Sequence, residues 1–322
     1  MTLSTTDASL ATINPFDQLL IDCQNDPKQI QSRYETHRSN RNTQQKGKLL
    51  HQDFQGWQID EILAKLVAQS TDVNEHPFSD HRHNLNLYAR PPKHIRELVA
   101  EIQQEIRDVV PNLWFSPPES LHITTLEIAN SRTKAEIDNL ATQLKESGLA
   151  ERLVDYTNHT SAANTIGHRA RLVKPVLSYD ASAMALSFLP AAGEPSSIGR
   201  KTSKQLEDDA YTYHHLRRDL ATRVLETGFE MGARYIVPSA HVTIARFVSP
   251  EGDVDREHVA GLVERIERVN GMLRERYWPD LEVGRMSDKG EWVVGQEEGL
   301  EFNKGTSWYG GGERVLVGRG FE

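Results

Sequence analysis

From about residue 84 the chain alternates short runs of period-two hydrophobicity with longer runs of helical spacing, and that rhythm leaves few folds open. NLNLYARPP places Leu85, Leu87 and Ala89 on one face of a strand and Asn86, Tyr88 and Arg90 on the other. Pro91 and Pro92 end that strand and open a helix to about Val109, with an apolar stripe of Ile95, Leu98, Val99, Ile102, Ile106 and Val109. A strand over ESLHITTLEI (119–128) comes next, and then a helix that buries Ile137, Leu140, Ala141 and Leu144 and stops at Gly148. The second half repeats the logic. RARLVKPVLSYD and SAMALSFLP read as strands joined by a turn at Tyr179 and Asp180, followed by a polar loop over about 191–208. Helices over about 210–229 and 254–277 flank RYIVPSAHVTIARFV, and the tail reads as strands between Gly-rich turns. Each half holds a strand, a helix and a second strand, which predicts an α/β (α+β) protein of two pseudo-duplicated lobes.

The two second strands share an oddity. Leu121, Ile123 and Leu126 suit a buried strand, yet His122 and Thr124 interrupt them; in SAHVTIARF, His241 and Thr243 do the same 119 residues later. Side chains two apart on a strand point to one side, about 6.5–7 Å apart. Each His therefore shares a face with its Thr, and Leu121, Ile123, Val242 and Ile244 point to the core behind. If the strands lie near each other, two imidazoles and two hydroxyls converge on one cavity. Such a cavity suits phosphodiester chemistry. One neutral imidazole takes a proton from water or a ribose hydroxyl, and the other, protonated, gives one to the leaving oxygen. The Thr hydroxyls can donate to non-bridging phosphate oxygens as charge grows there. The rival reading, two core histidines bonded to nearby backbone, needs two unrelated lapses in strand patterning at matched positions.

LHITTLEI and AHVTIARF resemble the paired His-x-Thr/Ser signatures of the 2H phosphoesterase superfamily. Its branches include 2′,3′-cyclic nucleotide phosphodiesterases, 2′-5′ RNA ligase-like proteins and RNA 3′-end exonucleases. The resemblance covers about residues 82–320. It implies a bilobal fold with outer helices, the two motifs facing each other across a central groove, and metal-independent action on 2′,3′-cyclic or related RNA-end phosphates. On the matching positions, His122 and His241 are then catalytic and Thr124 and Thr243 bind phosphate, with no cofactor or metal. The same groove could instead hold a nucleotide without turnover, as a binding module, or be vestigial in an interaction protein. Retention of both His and both Thr favours catalysis.

Composition narrows the partners. A net charge of −9 argues against extended nucleic-acid binding but leaves room for a nucleotide or an RNA 3′ end. No apolar run reaches membrane-spanning length. Cys23 is the only cysteine, which excludes an internal disulfide and a cysteine-cluster metal site. The N-terminus has no basic and apolar segments of a secretory signal, so an intracellular location, cytoplasmic or nuclear, is expected.

Residues 1–80 fall outside the resemblance and read as a helical extension, with Ile59, Ile62, Leu63, Leu66 and Val67 at helical spacing. GEPSSIGRKT (193–202) imitates a phosphate-binding loop but has five residues between its glycines and Arg200 before Lys201. His81 and His83 lack a third spaced metal ligand, and the adjacent His214 and His215 on a helix face different ways, so all four are expected to be solvated or capping. Tyr88, Trp308 and Tyr309 are candidate ring contacts for a base or ribose, and each could equally be structural. Arg246 has opposite parity to His241 and reaches the groove only if its strand bulges or ends there.

Overall fold

The computed structural model describes residues 13–71, 78–158, 168–196, 209–229, 231, 236–249, 256–280 and 289–321. Eight helices and two antiparallel sheets make up the described part of the chain. The first sheet has the strand order β3 (Ile123–Arg132), β1 (His83–Ala89), β8 (Glu298–Gly305), β9 (Glu313–Arg319). The second runs β2 (Trp114–Phe115), β6 (Ala240–Arg246), β5 (Ala183–Pro190), β4 (Arg171–Tyr179), β7 (Trp292–Val293). Among the described residues no helix is long and apolar enough to cross a membrane.

Most expected elements form with boundaries moved by a few residues. The helix after the double proline is α4 (Lys93–Arg107), and its stripe is buried from Ile95 to Ile106. α5 (Lys134–Glu146) starts on a Thr133–Glu136 capping box, and Gly148 adopts φ 65° between it and α6 (Leu149–Val154). Asp180 closes the β4–β5 turn by accepting from the amides of Ser182 and Ala183. The phosphate-loop imitation lies mostly outside the described residues.

The lobes are not the two halves of the sequence. α4 leaves the first sheet and covers the second, beside α8 (Arg256–Tyr277), where Gln103 donates to the carbonyls of Ser116 and Ile244. In return, α7 (Tyr213–Leu225) leaves the second sheet and packs on β3, and β8 and β9 from the tail complete the first sheet. Each sheet thus buries one apolar face under helices, and the other face, polar in the first sheet, remains for a groove.

Residues 13–71 carry three helices and are fastened to both lobes. α1 (Asp17–Asp22) follows the buried Phe16 against α7; α2 (Pro27–Leu50) lies on β4 and β5; α3 (Glu61–Thr71) comes after it. Arg38 on α2 is buried and donates to the carbonyls of Lys174 and Ser187. His214 is neither solvated nor a cap. Its Nε2–H donates to the carbonyl of Phe16 and its Nδ1 accepts from Tyr34, so its two ring nitrogens join the N-terminal segment to α7. His215 does cap: its Nδ1 accepts from the Thr212 amide at the helix start.

Candidate active site

The two motif strands come together. β3 and β6 approach with Cα atoms within 8 Å, and His122, Thr124, His241 and Thr243 line one cavity of about 180 Å³. Each motif strand carries the same irregularity. In β3, Thr124 pairs with Tyr88 and Leu126 with Leu87, so Thr125 is an extra residue. In β6, Thr243 pairs with Ala185 and Ala245 with Met184, so Ile244 is extra. A β-bulge directly after the motif Thr thus occurs in both strands. It shifts the parity of the residues beyond it: Leu126 and Ala245 turn to the core, and Glu127 and Arg246 turn to the cavity. Arg246 reaches the groove by this bulge, the condition the sequence set for it. Glu127 does so unexpectedly, because strict alternation puts Leu126 there.

His122 is half-buried, and its Nδ1–H donates to the carbonyl of Ser120, 2.8 Å away, which leaves Nε2 for the cavity. That carbonyl is itself held in place. Gly310, at φ 84°, lies so close that a Cβ there would sit 2.0 Å from the Ser120 oxygen. Arg90 donates to the carbonyls of Glu119 and Leu121 on either side and forms a two-pronged pair with Glu301, which is 1% exposed. Glu301 also accepts from Arg314 and Asn303. On the other motif, His241 Nδ1 lies 3.1 Å from the Ser239 hydroxyl.

Burial pushes both imidazoles down to about 4. For His241 the positive charge of Arg41 and then the neighbouring His122 add to it; for His122 the Ser120 carbonyl opposes it. In the ligand-free protein both rings are therefore neutral at pH 7. An anionic phosphate between them would favour protonating one, and their mutual repulsion disfavours charging both. The Thr124 and Thr243 hydroxyls make no side-chain hydrogen bond to a described residue.

Other candidate contacts fare differently. Tyr88 is 2% exposed, its ring packs on His122 with centroids 4.0 Å apart, and its hydroxyl donates to the Ser307 carbonyl. Its aromatic face therefore supports His122 instead of standing open to a base. Trp308 lines the cavity, and its indole Nε1–H has no partner among the described residues. Tyr309 stands off the cavity wall. Its hydroxyl donates to Asp60, accepts from Arg82, and its ring lies under the Arg246 guanidinium. Asp60 also pairs with Arg246 at 3.4 Å, so the N-terminal segment steadies that side chain. Asn84 and Asn86 complete the polar wall; they alternate with Leu85 and Leu87, a signal the sequence carried. Among the described residues no group of three or more His, Cys, Asp or Glu is placed to hold a metal ion.

No protein-family model matches the chain, and no curated protein matches it. Among solved structures, the crystal structure of TT0787 of Thermus thermophilus aligns with 68% of this chain and 87% of its own, at 18% identity and a TM-score of 0.35. A likeness that distant says nothing about function.

Proposed function

We propose that the cavity is the active site of a phosphodiesterase that acts on 2′,3′-cyclic phosphates or RNA-end phosphodiesters by two-histidine acid–base catalysis. The observation that carries the reading is the convergence of both His-x-Thr pairs on one cavity. The Ser120 carbonyl holds the proton of neutral His122 on Nδ1, so Nε2 presents a lone pair suited to taking a proton from the attacking water. A phosphate anion raises the proton affinity of the partner imidazole, which can then protonate the departing ribose oxygen. Either ring can take either part, depending on which ribose oxygen leaves. The two Thr hydroxyls donate to the non-bridging oxygens, where negative charge builds in the transition state. Both proton transfers and the charge stabilisation come from side chains, so the reaction does not depend on a divalent ion.

The test is turnover of 2′,3′-cyclic nucleotides and of short RNA ending in a cyclic phosphate, with and without EDTA. Expected are EDTA-resistant hydrolysis, a bell-shaped pH profile, and a loss of about 10²–10⁴-fold for His122→Ala and for His241→Ala. Activity that vanishes with EDTA and returns with a divalent ion overturns the mechanism. Tight binding without product reassigns the groove to a nucleotide-binding module.

A further inference from the structure

The cavity between the motifs adjoins a second hollow of about 250 Å³, and the two share His241, Thr243 and Arg246 as a common wall. The far wall of the second hollow is α2, through His37 and Arg41; its floor includes Ser178 of β4 and Ser187 of β5. The N-terminal segment, which lies outside the two-lobed part, therefore builds part of the groove.

The polar groups here have capacity to spare. Arg41 gives one guanidinium nitrogen to Asp180 Oδ2 at 2.5 Å, and its side chain is 51% exposed. Asp180 is separately anchored through Oδ1, which accepts from Ser182 and Ala183, so it stays in place if Arg41 turns toward a ligand. Ser187 donates its hydroxyl to Ser178 Oγ, which leaves the Ser178 proton free to donate. Three arginines line this hollow: Arg246 is paired with Asp60 and the buried Arg38 with Glu35, and Arg41 is the most exposed of them. Arg41 is also the leading charge that acts on His241, which places it within electrostatic reach of the reacting phosphate.

We propose that this hollow is a second phosphate subsite, which takes the phosphodiester one nucleotide away from the phosphate held between His122 and His241, with Arg41 as its cation and Ser178 as a hydroxyl donor. The inference rests on the phosphodiesterase reading above and narrows its substrate class to an oligonucleotide end of two nucleotides or more. A free cyclic mononucleotide would leave the hollow empty.

The test measures calorimetric binding of two stable hydrolysis products, a nucleoside carrying a terminal 2′- or 3′-phosphate and the corresponding dinucleotide. Wild-type protein should bind the dinucleotide at least about tenfold more tightly, since a charge-assisted phosphate contact is worth roughly that factor. Arg41→Ala should erase the preference and lower the salt dependence of dinucleotide binding by about one counterion. Arg33→Ala, an exposed position on α2 that lines neither hollow, should retain the preference. Equal affinity of wild type for both probes overturns the subsite. So does a folded Arg41→Ala protein, checked by an unchanged melting temperature, that still prefers the dinucleotide. Both results leave the phosphodiesterase reading intact; if neither probe binds at all, that reading falls and the subsite with it.

Discussion

Arg217→Met takes away a side chain that ties the two motif strands together. Arg217 lies on α7, is 1% exposed, and donates to the carbonyl of Thr125 at 3.3 Å and to that of Val237 at 2.9 Å. The first carbonyl belongs to the bulge after Thr124, and the second precedes His241 by four residues. Its guanidinium also covers the ring of Phe16, 4.4 Å away. Hydrogen bonds to a charged donor contribute about 1.5–3 kcal/mol each, with the longer one at the low end. Met fills much of the vacated volume and returns roughly 1–2 kcal/mol through apolar contact. The net loss is then about 1–3.5 kcal/mol. Urea unfolding followed by tryptophan fluorescence reads this as a lower midpoint, with Arg223→Met as the control. Arg223 is on the same helix, 53% exposed and paired with the equally exposed Glu226, so its loss should cost less than about 1 kcal/mol. The positive charge of Arg217 also helps hold the His241 imidazole down, so its removal should move the His241 titration upward. A midpoint equal to that of Arg223→Met would refute the view that Arg217 joins the strands.

Acid should weaken the fold before most carboxylates titrate. Burial holds His214 down to about 3 and His122, His215 and His241 to about 4, whereas the unfolded chain protonates them near 6.5. The unfolded state therefore binds more protons in this window. Their stabilising contribution is complete above pH 6.5 and is lost as pH falls toward 4, by up to about 1.4 kcal/mol per pH unit for each ring. Melting temperatures at pH 7.5 and 5.5 check this, and His214→Gln should flatten the dependence; equal melting temperatures for wild type at both pH values would sink it. Arg90 and Glu301 act on His122 with opposite signs, the cation lowering and the carboxylate raising its proton affinity. Arg90→Met should accordingly move the His122 titration up and Glu301→Gln should move it down, as read by NMR; shifts of the same sign would contradict the assignment.

Much of this was legible in the sequence because burial writes itself as periodicity. The alternation of Leu85 and Leu87 with Asn84, Asn86 and Tyr88 marked both faces of β1, and the stripe of α4 marked its buried side. Three features escaped. The bulges after Thr124 and Thr243 leave no compositional trace, since the extra residues Thr125 and Ile244 are ordinary strand formers. The docking of α2 on the second sheet escaped for the opposite reason. The helix rests on strand carbonyls and a polar groove, so its buried side is Ile30, Tyr34, Arg38 and Leu49, where an apolar stripe would otherwise announce a packed helix. The pairing of Arg90 with Glu301 spans 211 residues and could not be seen from local pattern at all.

The paired bulges also govern sliding. A strand of strict alternation can slip two residues along its neighbour and still present the same side chains to each face. One surplus residue forbids this, because a slip would carry the kink onto positions where the partner strand is straight. Thr125 and Ile244 thus act as detents: each stops its strand at a single offset and fixes how far along the groove His122 and His241 stand. With both strands stopped in the same way, the spacing between the two imidazoles becomes a property of backbone registry, set before any side chain chooses its rotamer.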